Sequence, residues 1–267
     1  MTVIVVLSSG ENDDDDAPRV CDDDESELTS LCALCFGLHS AGCTEIEGSI
    51  NIAANYTGRF YLTNVTTIFG GISTPRIYSG VTGETEPIPV PLLTSIQVAR
   101  LNYTQSIDIS GVPSLAYIWF GSLAVASGGI RLVGLQEGCL VDFPALTTTR
   151  DLVVSGNTTD LSFPLLASGG NMEITATPLT SNDDYLLVDR VDHPAFDINF
   201  PELQNALSIY LQGNIQSLNM PQLSAIKEEL GEYYRHLRIR TYGHPLNIGL
   251  PNLSKVHSIS AAGTIGS

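Results

Sequence analysis

A short motif that recurs seven times constrains this chain more than any other feature. Each copy runs apolar residue, proline, any residue, leucine, and the copies begin at Val90, Val112, Phe143, Phe163, Phe200, Met220 and Leu250. The prolines are spaced by 22, 31, 20, 37, 20 and 30 residues. A pattern that recurs about every 20 residues is typical of stacked repeats that share one core. We interpret the steps of 30, 31 and 37 residues as repeats that carry insertions.

Apolar residues alternate with polar ones on both sides of the motif. Leu161-Ser162-Phe163 and Met172-Glu173-Ile174 have the two-residue period of a strand with one buried face. Only 15% of residues are charged, 43% are hydrophobic, and the chain holds 24 glycines and 14 prolines. This composition excludes a helical bundle and a disordered chain. The sequence therefore predicts an all-β solenoid of short parallel strands, with one shared core that contains Leu115, Leu146, Leu166, Leu203, Leu223 and Leu253.

Charge is strongly acidic and uneven. The chain has 12 Lys and Arg against 29 Asp and Glu, which gives a formal net charge of −17. Residues 11–27 alone hold ten acids and one base. An acidic surface repels phosphate backbones and anionic membranes, so we predict no nucleic-acid partner. No apolar stretch approaches the ~18 residues of a membrane-spanning helix, and we predict none.

Three domains are expected along the chain. Residues 1–20 form an acidic, flexible N-terminal arm. Residues 21–46 form a cap with a helix over residues 24–36, in which Leu28, Leu31, Cys32, Cys35 and Phe36 share one face. Residues 47–267 form the solenoid, and residues 73–89, rich in Gly, Pro, Thr and Glu, protrude from it as a loop.

The order of these segments along the chain resembles that of a known protein family. The segment Cys43-Thr-Glu-Ile-Glu-Gly-Ser-Ile-Asn-Ile, the later Val65-Thr-Thr-Ile-Phe-Gly-Gly-Ile and the Pro-x-Leu repeats resemble the receptor L-domain-like proteins of fungal cell surfaces. The resemblance covers roughly residues 21 to 260. It implies a right-handed parallel β-helix of the leucine-rich-repeat kind, with a short N-terminal capping helix. The family comprises secreted glycoproteins, typically GPI-anchored, that are associated with cell-wall organisation and spore-wall formation.

The chain departs from this family at its ends. It shows no clear signal peptide, no Ser/Thr-rich stalk and no hydrophobic anchor tail. We interpret it either as an incomplete gene model, with an incomplete C-terminal end, or as a member that lost those segments. The resemblance implies an extracellular location, in the cell wall or on the outer face of the plasma membrane.

The resemblance implies one covalent modification, a disulfide between Cys21 and Cys43. A zinc site is the alternative for this region, because Cys32, Cys35, His39 and Cys43 approach a zinc-knuckle spacing. We favour buried thiols for Cys32 and Cys35 and a core thiol for Cys139, so no metal or cofactor is predicted. Sequons for N-glycosylation occur at Asn55, Asn64, Asn102, Asn157 and Asn252.

Catalytic motifs are weak. Asn182-Asp183-Asp184, Arg238-Ile239-Arg240 and Gly243-His244 contain the residue types of pectin-degrading β-helix enzymes, but their order and spacing differ. We predict no catalytic residues and no enzyme activity.

The sequence thus predicts a non-catalytic cell-surface glycoprotein that contributes to fungal cell-wall organisation. Its partners would be cell-wall polysaccharide or wall proteins. Tyr233, Tyr234, Trp119 and Phe120 could stack on sugar rings, although core or loop packing is the more common fate of such residues. Two alternatives stay open: a carbohydrate-active β-helix enzyme of the pectin hydrolase or lyase type, and an intracellular repeat scaffold for protein interaction.

Overall fold

In its computed structural model, the chain folds into β-strands. The described residues are 44–78, 85–158, 160–175, 195–226 and 236–266, with the backbone of Ser8–Ser9 and Val20–Asp22. They contain no helix, and hence none that is long and apolar enough to cross a membrane. The predicted helix over residues 24–36 lies outside the described residues. The rest of the predicted arm and cap does so too, except Ser8–Ser9, Val20–Asp22 and residues 44–46.

The strands are short, and most have alternating buried and exposed residues. In chain order they are β1 (Ser8–Ser9), β2 (Val20–Asp22), β3 (Glu45–Ile46), β4 (Ile50–Asn51), β5 (Thr57–Leu62), β6 (Thr67–Ser73), β7 (Arg76–Tyr78), β8 (Thr85–Pro87), β9 (Leu92–Val98), β10 (Tyr103–Ser110), β11 (Tyr117–Phe120), β12 (Val125–Leu135), β13 (Leu140–Asp142), β14 (Thr148–Gly156), β15 (Asp160–Ser162), β16 (Ser168–Thr175), β17 (Phe196–Asn199), β18 (Asn205–Ala206), β19 (Ser208–Gly213), β20 (Ile215–Asn219), β21 (Ala225–Ile226), β22 (His236–Leu246) and β23 (Ser258–Ile265).

Two sheets contain most of these strands. A 14-stranded long sheet has the order β1-β2-β3-β6-β10-β12-β14-β16-β19-β22-β23, with β4, β18 and β21 paired beside this path. A five-stranded short sheet has the order β15-β13-β11-β9-β5, and β17 pairs with β20 separately. Apart from a separate pair formed by β7 and β8, the chain alternates between the short and the long sheet from β5 to β16. Successive strands within each of these two sheets are parallel. This arrangement is all-β and compatible with a β-helix-like fold.

The proline motif builds turns at strand ends, and the copies at Val112, Phe143 and Phe163 form corners between the two sheets. In every copy the leucine N–H donates to the carbonyl of the residue before proline, at 3.1–3.3 Å, and closes a tight turn. Proline suits the second position of such a turn because its ring fixes the backbone angle that the turn needs. The predicted strands over Leu152–Val154, Met172–Ile174, Leu237–Ile239 and Phe60–Leu62 are confirmed.

The interpretation of the 31-residue step as an insertion is wrong. Val112-Pro113 lies between β10 and β11, where the chain enters the short sheet, whereas Phe143-Pro144 lies between β13 and β14, where the chain leaves it. The two copies therefore occupy opposite corners. The true counterpart of Phe143 is Phe120, 23 residues earlier, where Gly121 replaces the proline. The 37-residue and 30-residue steps between prolines match the spacing of paired residues. Ser168 pairs with Asn205, 37 residues later, and Ala225 pairs with Lys255, 30 residues later.

The core lies between the sheets and is layered. Phe120, Phe143, Phe163 and Phe200 are all fully buried. Their rings stack in series, with centroids 4.9, 5.3 and 5.7 Å apart. Of the six leucines predicted to share one core, five are buried. The sixth, Leu253, is only half-buried and packs against the edge of that core.

The predicted loop over residues 73–89 is partly ordered as strand. β7 and β8 pair antiparallel in it, from Arg76↔Pro87 to Tyr78↔Thr85, while residues 79–84 lie outside the described part of the chain. Arg76 anchors this hairpin to the long sheet, because its Nη1 lies 3.1 Å from Asp108 Oδ2.

Candidate functional site

The predicted glycosylation sites all lie in the described part of the chain. Asn55, Asn102 and Asn252 are exposed, and Asn64 and Asn157 are half-buried. The Asn252 side chain donates a hydrogen bond to the Pro221 carbonyl at 2.7 Å. Glycosylation of these residues stays a prediction. So does the disulfide, because Cys43 and the side chain of Cys21 lie outside the described residues.

The residues of the alternative zinc and enzyme sites are not assembled in the described structure. Cys32, Cys35, His39, Asp183 and Asp184 lie outside it, as do Tyr233 and Tyr234. Among the described residues, no group of three or more His, Cys, Asp or Glu could hold a metal ion. Arg238 is exposed, and its guanidinium carbon lies 5.5 Å from the centre of the Tyr210 ring. This contact gives Arg238 a structural partner.

Cys139 is confirmed as a core thiol. Its side chain is buried and free of any disulfide. Burial raises the pKa of this thiol to about 12, so it carries no thiolate at neutral pH and is a poor nucleophile. The hydroxyl of Thr158 donates to the Cys139 carbonyl at 2.6 Å and fixes the turn around it.

The outer face of the long sheet presents a row of charged side chains. Parallel register places Asp108, Arg131, Val153, Glu173, Tyr210 and Arg238 on six successive strands. Asp108 accepts from Arg76 and lies 4.0 Å from Arg131. Burial raises the pKa of Glu173, and Arg131 opposes this shift. These charges are largely compensated by one another.

A second row on the same face is held by hydrogen bonds within the protein. The Asn171 amide donates to Asp151 Oδ1 at 2.9 Å, and the Ser208 hydroxyl donates to Asn171 Oδ1 at 2.9 Å. These three polar side chains are thus linked by hydrogen bonds from one strand of the long sheet to the next. The long sheet presents a surface whose polar groups largely satisfy each other.

The outer face of the short sheet differs, because aromatic rings lie on it in register. Tyr61, Gln97, Trp119 and Asp142 occupy one row across β5, β9, β11 and β13. The neighbouring row contains Arg59, Ser95, Tyr117 and Leu140. We call the set Arg59, Tyr61, Gln97, Tyr117, Trp119 and Asp142 the aromatic face. Tyr61 and Trp119 are separated by two strand spacings, or roughly 10 Å.

Packing holds the rings of the aromatic face against the sheet. Gly121 leaves room for the Trp119 indole, since a Cβ at Gly121 would overlap that ring. The Arg59 guanidinium donates to the Tyr61 hydroxyl at 3.2 Å. Burial raises the pKa of Tyr117, and the Asp142 carboxylate adds to the shift. Tyr117 therefore keeps its proton and can donate a hydrogen bond at neutral pH.

These groups suit a sugar chain better than a small charged ligand. A pyranose ring has an apolar face of C–H groups, which packs on an aromatic ring, and hydroxyls at its rim. The rim hydroxyls can both donate and accept, and Gln97, Asp142 and Tyr117 supply complementary groups. Tyr61 is 42% exposed and Trp119 is half-buried, so part of each ring is accessible from solvent.

Comparison with known proteins adds no relative to this picture. The chain matches no protein-family model, no curated protein and no solved structure. The fold and the outer faces of its sheets are thus the basis for inferring what it does.

The sequence pointed to part of the aromatic face. Trp119, one of the four residues that could stack on sugar rings, lies on it, whereas Phe120 packs in the core and is fully buried. Tyr61, Gln97 and Asp142 were missed. The signal for Tyr61 was present, since Phe60-Tyr61-Leu62 alternates in the same way as Ile118-Trp119-Phe120, and aligning these segments by the inward residues would have placed both rings in one row.

Proposed function

We propose that this protein is a non-catalytic, cell-surface glycoprotein that binds wall polysaccharide through the aromatic face. The proposal includes the finer fold, a right-handed β-solenoid of the receptor L-domain kind, and a role in fungal cell-wall organisation. Parallel crossovers between strands of one sheet are nearly always right-handed, which supports that handedness. The observation that carries the function is the row of Tyr61, Gln97, Trp119 and Asp142 across adjacent parallel strands.

Three features support binding without catalysis. Asp142 is the one carboxylate in the row of Tyr61, Gln97 and Trp119, and the nearest other carboxylate of the short sheet, Asp160, lies on β15 beyond Leu140 and away from both rings. The two carboxylates therefore do not lie on either side of a ring-bound sugar, as a glycosidase of the usual kind requires. The Tyr61 and Trp119 rings are roughly 10 Å apart, so they can contact separate sugar residues of one polysaccharide chain. The five sequons add support for a secreted location, where wall polysaccharide would be met.

The test is a binding assay with insoluble β-glucan and chitin as separate probes. Purified protein is mixed with each polymer, and the fraction removed with the pellet is measured. We expect depletion by at least one polymer. Trp119→Ala and Tyr61→Ala should each weaken binding by about tenfold or more, which corresponds to about 1.4 kcal/mol. The matched control is Phe69→Ala, since Phe69 is 50% exposed on the long sheet.

Soluble fragments of the polymer that binds provide a second readout. Trp119 is the only tryptophan of the chain, so its fluorescence should change as the fragments bind and should report one affinity. Absence of binding to both polymers would overturn the proposal, and so would equal binding by the Trp119→Ala and Phe69→Ala variants. Release of reducing sugar by the protein would support the enzyme alternative instead.

A further inference from the structure

The aromatic face has one carboxylate that no described group neutralises. The carboxylates of Asp108, Asp151 and Asp197 accept hydrogen bonds from neighbouring side chains. Among the described residues, none donates a hydrogen bond to Asp142 or forms an ion pair with it. Asp142 also raises the pKa of Tyr117, so its carboxylate faces the same surface as that side chain. This surface therefore offers a carboxylate acceptor to a ligand.

The Asp142 carboxylate lies next to the largest ring of the aromatic face. Parallel register pairs Trp119 of β11 with Asp142 of β13 on one side and with Gln97 of β9 on the other. Each neighbour is one strand spacing away, or roughly 4.8 Å. A pyranose that packs its apolar face on Trp119 extends its substituents sideways in the plane of its ring. Those substituents therefore reach over Gln97 and Asp142.

The charge of the short sheet is uneven. Its five strands contain one base, Arg59, and two acids, Asp142 and Asp160. Arg59 lies on β5 and donates to the Tyr61 hydroxyl. Three strand spacings, or roughly 14 Å, separate β5 from β13. The end of the sheet at β13 and β15 is therefore acidic, in a protein of net charge −17. Such a surface attracts cations and repels phosphate, sulfate and uronate groups.

The spacing of the two rings restricts the shape of the polymer. Tyr61 and Trp119 are two strand spacings apart, with Gln97 between them. One sugar of an extended chain is about as long as one strand spacing, roughly 4.8 Å. In the extended β-linked chain of chitin, each sugar is rotated by half a turn relative to the previous one, so every second sugar presents the same face. Such a chain can pack equivalent faces on Tyr61 and Trp119 while it crosses the strands.

We propose that the polymer bound by the aromatic face is a chain of amino sugars with free ammonium groups, namely deacetylated chitin. Its sugar rings pack on Tyr61 and Trp119, and the ammonium of one sugar donates to the Asp142 carboxylate. Hydrogen bonds between charged groups are about twice as strong as those between neutral groups, and an ammonium is also attracted to the indole face. Acetylation removes this charge, so acetylated chitin binds through the rings alone and more weakly. This inference rests on the polysaccharide-binding function proposed above and specifies its ligand.

The experiment compares glucosamine oligomers with N-acetylglucosamine oligomers of equal length. Trp119 fluorescence and isothermal titration calorimetry measure the affinity of the full chain for each oligomer, in weakly acidic buffer that keeps the amines protonated. We expect the glucosamine oligomer to bind about tenfold more tightly, which is the effect of one hydrogen bond to a charged group. This preference should decrease in high salt, because salt screens the attraction.

Two variants separate the role of Asp142 from the general negative charge of the protein. Asp142→Asn keeps the shape of the side chain and removes its charge, while Glu202→Gln removes the same charge from an exposed turn after β17. Asp142→Asn should weaken binding of the glucosamine oligomer about tenfold and leave binding of the acetylated oligomer unchanged. Glu202→Gln should keep the preference of the parent chain. Far-ultraviolet circular dichroism should show the parent fold in both variants.

A third variant, Trp119→Ala, shows whether both oligomers use the aromatic face, and calorimetry should find weaker binding of each. If the parent binds both oligomers equally, or the acetylated one more tightly, and Trp119→Ala weakens that binding, the amino-sugar proposal is refuted and the wider function stands. Retention of the glucosamine preference by Asp142→Asn would also refute it, because the overall charge would then be the cause. Binding of neither oligomer, together with no binding to insoluble β-glucan, would overturn the proposed function itself.

Discussion

Removal of one ring from the phenylalanine stack should destabilise the protein more than any surface change. Phe143 is fully buried between Phe120, at 4.9 Å, and Phe163, at 5.3 Å between ring centroids. Phe143→Ala therefore loses the burial of a large side chain and two ring contacts, and it leaves a cavity. Such changes cost about 3–5 kcal/mol, of which each ring contact contributes about 0.5–1.5 kcal/mol.

Urea unfolding measures this loss. Trp119 fluorescence reports the short sheet and far-ultraviolet circular dichroism reports all strands, and agreement of the two midpoints supports a two-state analysis. Phe69→Ala is the control, because half of the Phe69 side chain is exposed. We expect its cost to stay below about 1 kcal/mol, since surface substitutions are usually small.

A double-mutant cycle tests the stacking itself. Phe143→Ala and Phe163→Ala remove adjacent rings and should couple by about 0.5–1.5 kcal/mol. Phe120→Ala and Phe163→Ala remove rings that are separated by Phe143 and should be nearly additive. The layered-core reasoning is refuted if Phe143→Ala costs no more than Phe69→Ala, or if the separated pair couples as strongly as the adjacent pair.

Three further predictions concern the interior and the long sheet. Burial holds the Cys139 pKa at about 12, so iodoacetamide at neutral pH should label this thiol only after unfolding, as peptide mapping will show; fast labelling of the native protein would contradict its burial. Burial raises the pKa of Glu173 in the folded state, so folding favours the protonated carboxyl. The stability of the folded state therefore decreases as the pH rises above the ordinary glutamate pKa of 4.5. Glu173→Gln should therefore gain stability relative to the parent as the pH rises from about 4 through the raised pKa of Glu173, and the gain should level off above it. A difference that stays flat with pH would disprove the shift. A Cβ at Gly170 would overlap the Arg150 carbonyl, so Gly170→Ala should cost about 1–3 kcal/mol in urea unfolding, while Gly249→Ala, with open space around its Cα, should cost far less.

The sequence by itself determined the local structure of this protein. Alternation at Leu161-Ser162-Phe163 fixes which side chains point inward, because the side-chain period of a strand is two. Proline after Phe143 and Phe163 determines the turn at the end of a strand, since its ring allows one backbone angle and removes a donor. Low charge and abundant Gly and Pro determine the all-β class.

Only the tertiary structure decided which corner each turn occupies. The motifs at Val112 and Phe143 form the same hydrogen-bonded turn, so local chemistry cannot distinguish them. Pairing across the sheets does so, because β10 joins the long sheet and β13 the short one. This assignment shows Phe120 as the counterpart of Phe143 even though Gly121 stands in place of proline.

The same limit applies to the candidate site. Tyr61, Gln97, Trp119 and Asp142 become neighbours through parallel register, while their separations along the chain are 36, 22 and 23 residues. The 36-residue step contains the β7–β8 hairpin, so no constant period predicts the row. Insertions change the spacing along the chain without disturbing the register, because backbone hydrogen bonds and inward packing of alternate side chains fix which residues face each other on adjacent strands.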